Sequence, residues 1–72
     1  MDDIKLIQML LTRLERISVD SYWAHRASGV RGALIRVLEK IEAGRPVQRS
    51  DLKRLIEIGF SILEKASLEK LR

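Results

Sequence analysis

Apolar residues recur at helical spacing along almost the whole chain, and two interruptions divide the pattern into three segments. In the first segment, Ile4, Ile7, Leu11 and Leu14 recur every three or four residues, which is the spacing of one face of an α-helix. The pattern stops at the polar stretch SVDSY, residues 18–22, and again at GRPVQR, residues 44–49. The spacing therefore predicts helices over about 3–17, 20–43 and 50–68.

Polar residues at the ends of these segments predict where the helices begin and end. A side-chain oxygen just before a helix accepts a hydrogen bond from an amide that has no partner within the helix. Gly44 is expected to end the second helix in a left-handed conformation, and Pro46 follows in the connector. The candidate N-caps are Asp2 or Asp3 for the first helix, Ser18 or Asp20 for the second, and Ser50 for the third.

The second helix contains two glycines, Gly29 and Gly32, yet its apolar stripe keeps the same phase on both sides of them. This favours one continuous helix over a helix that starts afresh at Ser28. The third segment likewise continues in phase through Gly59. We therefore expect one all-α domain over residues 1–72, a small three-helix up-down-up bundle. The predicted core stripe of the second helix is Trp23, Ala27, Val30, Leu34, Val37, Leu38 and Ile41.

The chain has 72 residues, no cysteine and one histidine, so disulfides and thiolate metal sites are excluded and a histidine-built metal site is not expected. No metal, cofactor or small-molecule substrate is indicated. A domain this small is usually marginally stable unless something else supports it. Because the apolar arcs of the first and third helices are wider than two neighbours require, we expect a protein partner or a homo-oligomer, most simply a dimer.

Charge and terminal sequence bear on location and partners. No apolar run approaches the roughly 18 residues of a membrane span, and the start MDD lacks the positive charge of a signal peptide, so we expect a cytoplasmic protein and no membrane partner. Asparagine and cysteine are absent while Arg, Ile, Leu, Glu and Lys dominate, which is typical of thermophilic proteins. The net charge of +4 and sequence pI of about 10.0 allow nucleic acid as a partner.

A ridge of small residues runs along the second helix away from its predicted core stripe. Ser21, Ala24, Ser28 and Gly32 recur at spacings of three or four, an arrangement that lets another backbone approach closely. Three interpretations stay open: a helix face tolerated in solvent, a docked helix, and a phosphate backbone in close contact. The candidate partner-binding residues are Ser21, Ala24, Ser28, Arg31, Gly32, Ile35 and Arg36.

The densest basic segment is the second connector with the start of the third helix. Its cations outnumber the one acid there, Asp51, and they suit phosphate groups or an acidic protein surface. The stretch from Gly44 to Gly59 resembles the opening of a helix-turn-helix, but the unbroken apolar phase through Gly59 favours one long helix. The candidate phosphate-contacting residues are Arg26, Arg45, Arg49, Lys53 and Arg54, with Arg36 as a further helper.

Catalytic chemistry has little support. His25 and Ser21 are four residues apart, but a nucleophile pair also requires an orienting acid, and Glu39 lies fourteen residues from His25, about 21 Å along a helix.

The expected function is therefore a non-enzymatic protein-interaction module, an accessory subunit or homodimeric adaptor that docks through a helix face. The alternative is a basic helical protein that binds the nucleic-acid backbone.

Overall fold

A computed structural model describes residues 3–70, except for the side chain of Lys70. It contains three α-helices: α1 over Asp3–Glu15, α2 over Ala24–Glu42 and α3 over Arg49–Lys70. Each helix contacts both others. The Arg49 guanidinium lies 3.8 Å from the Asp3 carboxylate, so α1 and α3 start at the same end of the molecule and α2 runs back between them. The predicted all-α three-helix bundle is confirmed.

The core forms where the apolar stripes of the three helices meet. Within the described part of the chain, no polar or charged residue is buried. Every residue of the stripe predicted for α2 is either buried or packed against the core, and α2 is one helix through both of its glycines. The most deeply buried side chains are those of Ile7, Leu10, Leu14 and Leu34.

Gly59 marks a close approach of α3 to α1. The residue is buried, and a Cβ added to it would lie 3.4 Å from Cδ2 of Leu10. Since α3 continues without a break through this position, the single long helix predicted for the third segment is confirmed. The absence of a side chain at residue 59 leaves room for the Leu10 side chain against the α3 backbone.

The segment before α2 folds differently from expectation. The N-cap residue of α2 is Trp23, and its side chain makes no capping hydrogen bond among residues 3–70, so the prediction that Ser18 or Asp20 caps this helix is wrong. The Ser18 hydroxyl instead accepts the Asp20 amide at 3.2 Å, and the Ser21 hydroxyl accepts the Trp23 amide at 3.1 Å. These local hydrogen bonds stabilise turns that delay the helix until Ala24.

The predicted end of α2 is confirmed, whereas the predicted N-cap of α3 is wrong. Gly44 has a φ of 72°, and its amide and that of Arg45 donate to carbonyls of the last turn of α2. The predicted left-handed glycine at the end of α2 is therefore confirmed, and it directly follows the C-cap residue Ala43. Ser50, in contrast, lies inside the first turn of α3, and the Leu52 amide donates to the carbonyl of Gln48 instead. Asp3 is the first residue of α1, whereas Asp2 lies outside the described residues.

None of the helices within residues 3–70 is both long enough and apolar enough to span a membrane.

Candidate protein-interaction surface

The predicted ridge of small residues is partly helical in the structure. Ala24, Ser28 and Gly32 are spaced by four on α2 and so lie along one face. Ser21 does not continue that face, because it lies in the loop before the helix, where its hydroxyl accepts the Trp23 amide. The ridge of α2, as we use the term below, therefore consists of Ala24, Ser28 and Gly32.

The glycines of α2 face open space. A Cβ added at Gly29 or at Gly32 would meet no atom within 4 Å outside the local helix backbone, as far as the described residues go. The packing of this domain therefore does not require glycine at either position. Gly59 is the opposite case, since the side chain of Leu10 occupies the space that its Cβ would face.

The remaining residues predicted on the ridge surface have different environments. Nη2 of Arg31 lies 3.4 Å from Oε1 of Glu15, so this side chain is tied to the end of α1 and is only 33% exposed. Its Nε atom is buried and has no hydrogen-bond partner within the described part of the chain. Ile35 is 40% exposed, and Arg36 is exposed on the same helix.

A second surface, with two exposed apolar residues, lies at the end of the bundle where α2 begins and α3 ends. Tyr22 is 79% exposed and Leu68 is 56% exposed, and both line one shallow concavity together with the half-buried Trp23. Lys65 and Glu69 of α3 complete its lining. We call these five residues the aromatic patch.

Aromatic and cationic groups contact one another in the aromatic patch. The rings of Tyr22 and Trp23 are edge to face, with centroids 5.2 Å apart. Nζ of Lys65 lies 5.0 Å from the centroid of the Trp23 ring, and Cζ of Arg26 lies 5.9 Å from it. These distances are those of cation–π interactions, which hold the indole in place between the loop and α3.

The sequence interpretation did not single out the aromatic patch. One signal for it was available. Leu68 lies nine residues after Gly59, so it is about 180° around α3 from that apolar position. Val19, in the same loop as Tyr22, is 91% exposed. The meeting of this loop with the last turns of α3 is a tertiary feature that no local spacing reveals.

The candidate phosphate-contacting residues fall into two groups. Arg45, Arg49, Lys53 and Arg54 are exposed around the second connector and the start of α3. Arg26 lies beside Trp23 at the other end of α2, about 24 Å along the helix from its last residue. Acidic residues lie among the first group: Arg49 pairs with Asp3, and Lys53 shares a groove with Asp3 and Glu57. The structure therefore does not combine the five cations into one basic surface.

Ser21 and His25, the pair considered for catalysis, lie on different elements. His25 is exposed on α2, whereas the Ser21 hydroxyl is engaged in the loop before it. Across residues 3–70, no group of three His, Asp or Glu side chains is arranged to hold a metal ion.

Comparison of the chain with protein-family models, with curated proteins and with solved structures finds no match. The functional interpretation therefore depends on the surfaces of this chain alone.

Proposed function

We propose that this chain is a non-enzymatic helical interaction module that binds a protein partner through the aromatic patch. The observation that carries the proposal is the exposure of Tyr22 and Leu68 within one concave surface beside Trp23. Tyrosine and tryptophan are enriched among the residues that contribute most to protein–protein binding. The ridge of α2 is the second part of the proposed docking surface. It is continuous with the patch, because Ala24 directly follows Trp23 and the ridge runs from there along the helix.

The physical basis is the burial of apolar surface with charges at its edge. Complete burial of a leucine side chain stabilises by about 1.5–3 kcal/mol, and Tyr22 offers a large ring at a low cost in side-chain entropy. Lys65 and Glu69 border these apolar groups, and charges at the border of an interface favour one orientation of the partner over others.

Site-specific photocrosslinking in the native host tests the proposal. A photoreactive phenylalanine analogue replaces Tyr22 in one variant and Gln8 in a control variant, because Gln8 is exposed on α1 and is not part of the aromatic patch. We expect a discrete protein adduct from position 22 and none from position 8. The absence of an adduct at position 22, or the same adducts from both positions, would contradict the proposal.

Binding to the nucleic-acid backbone is the competing function, and a titration separates it. The chain is mixed with duplex and single-stranded DNA and RNA at two salt concentrations, since phosphate contacts strengthen as salt falls. We expect no saturable binding at either concentration. Saturable, salt-dependent binding that is lost when Arg49 and Lys53 are replaced by alanine would favour the nucleic-acid function over the protein-interaction function.

A further inference from the structure

We propose that the partner at the aromatic patch is a second copy of this chain, packed around a twofold axis. This inference rests on the proposed function, because it requires the aromatic patch to be a protein-binding surface. It adds the identity of the partner and the pairing of charges across the contact.

The charges of the patch are complementary to themselves. Lys65 and Glu69 are four residues apart on α3 and therefore lie one turn apart on one face, and both line the concavity. A twofold axis that is perpendicular to α3 and passes level with the midpoint between Lys65 and Glu69 sets the two α3 helices antiparallel. Lys65 then lies opposite Glu69 of the partner subunit, and the same pair forms a second time across the axis.

The charges that line the patch also allow a second copy to approach it. The chain carries a net charge of +4, so two copies repel each other over most orientations. The two charged residues that line the patch, Lys65 and Glu69, have opposite signs, so its lining carries no net charge. A contact between two such neutral linings adds no net repulsion between the copies.

The patch has five lining residues and is therefore small for a protein interface. A standard protein interface buries about 800 Å² on each partner, which is about a seventh of the 5512 Å² surface of this chain. Tyr22 and Leu68 supply the apolar centre, and Lys65 with Glu69 supplies the charged border. Because one loop and the end of one helix provide the contact, we expect a weak dimer that dissociates on dilution.

Charge reversal with sedimentation equilibrium tests the pairing. The wild-type chain is expected to dimerise, and K65E or E69K alone is expected to weaken dimerisation by at least about tenfold, because like charges then face each other twice. Mixing the two variants restores both opposite-charge pairs, so the mixture is expected to form heterodimers. Circular dichroism confirms that each variant retains its helices.

The same helix offers a matched control pair. Lys53 and Glu57 have the same spacing as Lys65 and Glu69, but they line a different groove, near the start of α3. K53E and E57K are expected to dimerise as the wild type does. A dimer equally sensitive to both pairs, or a mixture of K65E and E69K that stays monomeric, would overturn the inference.

The outcome also separates this inference from the proposed function. A wild-type chain that stays monomeric at high concentration overturns the second copy as partner. If position 22 still yields an adduct with a different protein, the aromatic patch remains a protein-binding surface with another occupant. If position 22 yields no adduct and the chain is monomeric, both proposals fail.

Discussion

Gly59 of α3 lies directly against Leu10 of α1, so that a Cβ at residue 59 would lie 3.4 Å from Cδ2 of the leucine. Leu10 is fully buried and belongs to the core cluster. A Cβ at residue 59 would therefore be in van der Waals contact with Leu10, and a longer side chain would have to displace it, whereas the glycines of α2 face open space.

Replacement of Gly59 by leucine is expected to destabilise the domain. The added side chain enters a packed core and must displace Leu10, and overpacking of this kind typically costs about 1–3 kcal/mol. Urea unfolding followed by circular dichroism measures the change. An unfolding free energy equal to that of the wild type would mean that α1 and α3 separate without cost at this point.

Replacement of Gly29 or Gly32 by alanine is expected to stabilise the folded chain. A Cβ at either position meets open space, and alanine is favoured over glycine within a helix by about 1 kcal/mol. The same urea titration is expected to show a higher unfolding free energy for each variant. A loss of stability at either position would show that the folded chain itself requires glycine there.

Gly44 is expected to respond in the opposite direction from the glycines of α2. Its φ of 72° is unfavourable for a residue with a Cβ, and left-handed geometry costs other residues roughly 1–2 kcal/mol. Gly44→Ala is therefore expected to lower the thermal midpoint, whereas Gly44→Asn is expected to lower it less. Equal midpoints for the wild type and the alanine variant would contradict the assigned role of Gly44.

The helices were predictable from sequence because apolar spacing reports which face of each helix is buried. The stripe from Trp23 to Ile41 kept its phase through two glycines, and α2 is continuous there. The N-terminus of α2 was less predictable. Ser18 and Ser21 have side chains suited to capping a helix, but both accept amides within the preceding turns. Local propensity does not decide between these two uses of a serine hydroxyl.

The surfaces of the domain were harder to predict than its core. The sequence shows that Gly32 lies away from the core stripe, but only the structure shows that the space beside it is open and that Gly59 is the closely packed glycine. Tyr22 and Leu68 are 46 positions apart along the chain, and they line one surface only because the first loop packs against the end of α3. Such contacts depend on the tertiary fold, which local spacing does not encode.

The most direct test of the account removes the apolar centre of the aromatic patch and measures mass in solution. Tyr22 and Leu68 are exposed, so a Tyr22→Ser, Leu68→Ser double variant is expected to stay folded. Loss of the ring contact between Tyr22 and Trp23 is expected to lower its unfolding free energy by about 0.5–1.5 kcal/mol. In sedimentation equilibrium, the wild-type mass is expected to rise with concentration from 8.3 kDa toward that of a dimer. The double variant is expected to stay at the monomer mass. The same concentration dependence in both proteins would contradict the assignment of the aromatic patch as the surface that joins two copies.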